Sequence, residues 1–317
     1  MKINTQILDT ILKKILDLKP DESFLVITDE PKKELAMQIY EYAKKITRSA
    51  RIEIIEELEM SGQEPDRKTA ELMLDYDVQF YLTSKSLSHT NARRDATKKG
   101  HRIISSPGLT EDMMNRCVDI DYDWLIRLHK KLRPIVLNSK EIHIKTKAGT
   151  DIKTAVHDTI SESDNFLKNK KGAFGNLPTG EIDSGILREK TNGTIVFDGS
   201  FPGIGILKNP VKVEVVDGTG KIILDNKEAK KINQMLSSVG EKAFLLAELG
   251  IGTNPKAKIT GNILEDEKVL GTVHFAFGND LSYNGTNDVP LHLDGVIKEP
   301  TIEVDGKTIM KNGKLLI

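Results

Sequence analysis

Gly271-Thr-Val-His-Phe-Ala-Phe-Gly278 alternates strictly. In an extended chain Val273, Phe275 and Phe277 fall on one face and His274 and Ala276 on the other, because strand side chains repeat every two residues. Three large apolar residues on one side call for a core there, and the imidazole is left to the opposite face. Further on, Val289-Pro-Leu-His-Leu-Asp-Gly-Val-Ile297 also reads as a strand. His292 and Asp294 stand two apart on one face of it, where apolar or small residues are normal. Two such strands can pair and bring His274, His292 and Asp294 to one surface.

Working outward, the C-terminal half is rich in strands. Residues 141–156 form a hairpin pattern with Gly149 at its turn, and 211–226 form another with Gly218 and Gly220 at the turn. Residues 301–317 carry two more turn signals, and one helix is expected from Lys227 to Ser238. The first half has a different texture. Strand patterns at 24–27, 51–56, 78–82 and 101–105 alternate with helical ones at 7–16, 31–48, 68–74 and 91–99. That alternation predicts a parallel sheet covered by helices on both faces. The fold class expected is an α/β N-terminal domain, residues 1–135, followed by an α+β, strand-rich domain, residues 136–317, that carries the metal site. Pro134 is expected to end the helix that carries Trp124.

Composition narrows the function. The 317 residues carry 46 basic and 47 acidic side chains, a net charge of −1, which argues against a nucleic-acid or membrane-surface binder. No apolar run reaches the roughly 18 residues a bilayer span needs. Lys13 and Lys14 interrupt the first apolar pattern, so it reads as an amphipathic helix and not a secretory signal. The single cysteine, Cys117, excludes an internal disulfide and cysteine-rich metal sites. A cytoplasmic location is expected, and any metal must be held by oxygen and imidazole.

Two further acids stand in unusual places. Glu248 follows the apolar run Phe244–Ala247 with no charged neighbour; it is either a buried ligand or the end of a strand emerging into a loop. Glu181 lies in Gly175-Asn-Leu-Pro-Thr-Gly-Glu-Ile-Asp-Ser-Gly185, as a ligand or as a solvated loop acid. Glu181, Glu248, His274, His292 and Asp294 form a donor set suited to one or two divalent cations. Asp294 can also act as the hydrogen-bond partner of His292. Glu267, in Glu265-Asp-Glu-Lys268, is a further acid, either a ligand, a general base or an exposed residue. Gly250, Gly252 and Asn254 are read as a tight turn beside the site. No Gly-x-Gly-x-x-Gly follows a strand, and no Ser/His/Asp arrangement surrounds Ser105, Ser106 or Cys117.

The segments Asn176-Leu-Pro-Thr-Gly-Glu181, Ala247-Glu-Leu-Gly-Ile-Gly252, Asp266-Glu-Lys268 with Gly271–Gly278, and His292-Leu-Asp294 resemble the thermophilic, aminopeptidase T-like metallopeptidase family in order and spacing. The resemblance spans the C-terminal half, and the α/β first half agrees with that family's N-terminal domain. It implies a dimeric, two-metal hydrolase, a metallopeptidase that releases N-terminal residues from peptides with zinc, cobalt or manganese. By motif position its metal ligands fall on Glu181, Glu248, His274, His292 and Asp294. A carboxylate, Glu181 or Glu267, would deprotonate the attacking water. Arg93 and Tyr283 are the expected substrate-binding residues: Arg93 at the edge of a cleft where it clasps a carboxylate, or else on a solvated helix face. The family's tyrosine seven residues after the first histidine falls here on Leu281, and Tyr283 is the nearest one. Some proteins resembling this family are dihydroxypyridine ring-cleaving dioxygenases, whose single iron(II) is held by two histidines and one aspartate. His274, His292 and Asp294 would satisfy that triad. A non-catalytic metal-binding or structural relative is the remaining alternative.

Overall fold

The computed structural model describes residues 2–157 and 170–317. These divide into two compact units, one of residues 2–120 with 170–179, the other of residues 121–157 with 180–317. The first holds a five-stranded, all-parallel sheet in the order Ser49–Ile55, Ser23–Asp29, Val78–Leu82, Arg102–Ser105, Phe174–Asn176. Strands buried on both faces read as continuous apolar runs, and Phe24, Leu25, Val26 and Ile27 are all fully buried. The connecting helices start where the side chains of Asp66 and Thr90 accept the amides of Thr69 and Arg93. The parallel sheet with intervening helices expected of the first half is thus met.

The second unit has two antiparallel sheets. The larger runs in the order Thr219–Ile222, Val211–Val216, Asn192–Phe197, Asp151–Thr154, Ile142–Lys145, Thr301–Val304, Lys307–Lys311, Lys314–Leu315. Both expected hairpins are in it. The smaller has four strands, His292–Lys298, Thr272–Gly278, Leu246–Gly252 and Glu181–Gly185. One apolar core joins the two sheets, and Phe197 of the larger meets Phe277 of the smaller edge-on at 6.1 Å.

Two features differ from the expected organisation. Pro134 lies inside the helix Tyr122–Leu137 and does not end it. That helix buries Leu132, Val136 and Leu137 in the core of the second unit, which outweighs the one amide that proline lacks. The chain also returns to the first sheet, where Phe174–Asn176 adds a strand beside Arg102–Ser105. A single change of texture near residue 135 conveys neither point. No helix among the described residues is long and apolar enough to cross a membrane.

Candidate metal centre

Directly opposed residues in a sheet point to the same face. In the smaller sheet Glu181 opposes Gly252, and Glu248 opposes Gly185 on one side and Ala276 on the other. His274 opposes Gly250 and Val296, Asp294 opposes Ala276, and His292 opposes Gly278. All five expected ligands therefore stand on one face, with Gly185, Gly250, Gly252, Ala276 and Gly278 as small residues among them. The other face buries Ile182, Leu249, Ile251, Val273, Phe275, Phe277 and Ile297. A register irregularity between Leu246 and Glu248 sends Leu246 to the core with Phe277 and Glu248 to the polar face. Gly250 and Gly252 belong to this strand, not to a turn. A β-carbon on Gly250 would lie 2.1 Å from the His274 ring, and one on Gly252 2.1 Å from the Val269 carbonyl. Close approach, and not turning, is what requires glycine there. Asn254 does turn the chain, since its side chain accepts the amides of Lys256 and Ala257.

Glu248 is the hub. Its Oε1 is 3.1 Å from His274 Nε2, and its Oε2 is 2.8 Å from His292 Nε2. His292 Nε2 is also 3.5 Å from Asp294 Oδ1. His292 Nδ1 lies 2.7 Å from the Asn279 carbonyl, so Nδ1 carries a proton and Nε2 faces the acids. Burial pushes the Glu248 carboxyl up, but the hydrogen bonds from His274 and His292 outweigh it and hold it well below the usual carboxylate range. Burial works against charge on both imidazoles. The carboxylates overcome it, raising His274 to about 10 through Glu248, and raising His292 through Asp294 and Glu248.

Glu248, His292 and Asp294 each offer a ligand atom, and the three atoms lie within 4.8 Å of one another. One imidazole and two carboxylates suit a divalent ion such as iron(II), manganese or zinc. The set fits a metal, with a single second partner fixing its histidine. All three are among the five ligands expected, and the other two adjoin them, with His274 Nε2 3.1 Å from Glu248 and 3.7 Å from Glu181. His274 stands beside the group: its Nε2 is turned to the same carboxylate, at Glu248 Oε1, and its Nδ1 is buried with no hydrogen-bond partner.

Glu181 opens a strand instead of lying in a solvated loop, and it is drawn elsewhere. Its Oε1 is 3.0 Å from Lys268 Nζ, while Oε2 is 3.7 Å from His274 Nε2. Burial pushes the Glu181 carboxyl up to about 7 against the pull of Lys268. Glu267 is not exposed: it hydrogen-bonds to the Lys268 ammonium, and burial raises its carboxyl as well. Lys268 is 1% exposed, and its two acidic partners raise it in spite of burial. Nothing in the charge run Glu-Asp-Glu-Lys marks that lysine as buried. Tyr283 donates to Asp183 Oδ2 at 2.8 Å, and its ring centre is 6.4 Å from that of His292. Asp183 was also not foreseen. It stands on the ligand face, opposite Gly250. Arg93 lies in the first unit, neither on a solvated face nor free at an edge. It is 1% exposed, its Nε donates to the Ser88 carbonyl, and its guanidinium lies 4.1 Å from the Phe174 ring centre.

A family model described as NicX: 2,5-dihydroxypyridine 5,6-dioxygenase matches residues 14–317. The curated 2,5-dihydroxypyridine 5,6-dioxygenase of Pseudomonas putida (strain KT2440) is 19% identical over 195 residues. That alignment covers 57% of this chain and 56% of the relative, so the sequence match spans about half of its length. Among solved structures, 2,5-dihydroxypyridine dioxygenase from Pseudomonas putida KT2440 has a TM-score of 0.83 at 15% identity, over 98% of this chain and 96% of that one. Wild-type AmpT from Thermus thermophilus has a TM-score of 0.70 at 14% identity, over 98% of both chains. At these identities the two structures show a shared fold. The family model and the curated relative overturn the hydrolase, aminopeptidase, metallopeptidase and protease expectations, because both name a dioxygenase. The aminopeptidase T likeness holds for the fold.

Proposed function

The chain belongs to the NicX 2,5-dihydroxypyridine 5,6-dioxygenase family, and from that premise we propose that it is an iron(II)-dependent dioxygenase acting on a hydroxylated pyridine ring. The observation that carries the reading is the convergence of Glu248, His292 and Asp294 on one sheet face. These three would hold the ion. Bound iron(II) supplies the single-electron chemistry that a closed-shell ring needs to react with dioxygen. The chain's own residues prepare the rest. Asn279 accepts the Nδ1 proton of His292 and so keeps Nε2 aimed at the ion. Glu181, with a carboxyl pushed up to about 7, is suited to take a proton from a ring hydroxyl near neutral pH. Tyr283, oriented by Asp183, borders His292 and is the expected contact for the substrate ring.

Oxygen uptake by the iron(II)-loaded protein, started with 2,5-dihydroxypyridine and followed together with ring absorbance, tests this. Uptake matched to ring loss, and abolished in His292→Ala, is the expected result. No uptake and no ring loss, with iron(II) shown to be bound, would overturn it.

A further inference from the structure

We propose that Lys268 is a built-in substitute for a second metal ion, and that its ammonium limits this sheet face to one divalent cation. The inference rests on reading Glu248, His292 and Asp294 as a metal site, and not on the reaction catalysed there.

The polar groups sort into two sets. Glu248, His292 and Asp294 converge within 4.8 Å. Beside them, Glu181 and Glu267 converge on Lys268, with Glu181 Oε1 3.0 Å from Nζ and Glu267 Oε1 in contact with the same ammonium. The two sets are joined by His274, whose Nε2 is 3.1 Å from Glu248 and 3.7 Å from Glu181. Two buried carboxylates and an imidazole beside an existing metal site are the donors a second ion would need. Here a side-chain cation already satisfies the carboxylates.

Lys268 is itself 1% exposed, its ammonium held between the two acids.

Equilibrium dialysis against manganese(II) or zinc(II), with bound metal counted by mass spectrometry, reads the proposal without any reaction. One equivalent per chain is expected for the wild type, falling to none in His292→Ala. Lys268→Met keeps the length of the side chain and removes its charge; two equivalents are expected. Lys268→Met combined with Glu181→Gln should return to one. Two equivalents in the wild type would overturn the proposal, as would a single equivalent in a folded Lys268→Met chain. If Lys268→Met does not fold, Lys268→Gln can still hydrogen-bond to both acids and is expected to take up a second, weaker equivalent; one equivalent there overturns the proposal. A wild-type chain that binds one metal yet consumes no oxygen sinks the dioxygenase reading and leaves Lys268 in its role. A wild-type chain that binds none sinks the metal site and this inference with it.

Discussion

A methyl group at Gly250 would meet the His274 imidazole at 2.1 Å, so this one hydrogen atom decides whether the ring can lie across its neighbouring strand. Gly250→Ala should displace His274 and, through their shared hydrogen bond, Glu248. The expected loss is about 1–3 kcal/mol in stability, with metal affinity falling roughly 10–100-fold as for other partners of metal ligands. Denaturant titration and metal titration of the same sample check both. A second residue-scale test concerns His129, whose Nε2 lies 2.9 Å from Thr253 Oγ1. Burial lowers its pKa from 6.5 to about 4. Because the folded value is depressed, the unfolded chain binds more protons between those values. The associated stability is complete above pH 6.5 and is lost as pH falls toward 4. At about 1.4 kcal/mol per unit the full loss is about 3 kcal/mol. His129→Gln should remove this part of the pH dependence, read as a smaller drop in denaturation midpoint from pH 7 to 4.5. An equal drop in both proteins would refute it.

At the scale of the strand, Thr272–Gly278 has two faces with two functions. Phe275→Ala should cost about 3–5 kcal/mol and leave the metal count unchanged. Ala276→Leu places bulk between Glu248 and Asp294 and should abolish metal binding for about 1–3 kcal/mol. Equal metal binding in the two variants would contradict the division of faces. This strand was legible because alternation is a local property of seven residues. So was the pairing with the His292 strand, since both display a polar face of the same period. Glu248 was legible only as an oddity. Its direction depends on the irregularity after Leu246, which a partner strand imposes and which no pattern within 244–252 reveals. Lys268 was illegible for a related reason: Glu181, one of the two acids that pair with it, is far away in sequence. Pro134 misled because its local cost is real, but three buried apolar residues of the same helix outweigh it.

For the molecule as a whole, alternation of helix and strand in the first half and hairpins in the second predicted both architectures, as both follow from short-range periodicity. The return of Phe174–Asn176 to the first sheet is a long-range event with no such signature. Trp124, the chain's one tryptophan, lies in the helix that packs on the core of the second unit, so its fluorescence reports unfolding of the unit that carries the site. Metal at about 100 times its dissociation constant should stabilise that transition by about 2.7 kcal/mol, and chelation should remove the gain. The strands that meet at the site are drawn from residues 181 to 298, with Glu181 paired to Gly252 although three of the larger sheet's strands and a helix lie between them in sequence. Closing so long a connection is slow, and it comes before any donor set exists. The ion is therefore a latecomer to folding. Added metal should leave the refolding rate of Trp124 fluorescence unchanged and slow unfolding by the whole of its binding advantage, roughly 100-fold at that concentration. The site would then act as a latch on the finished protein, with no part in guiding the chain to it.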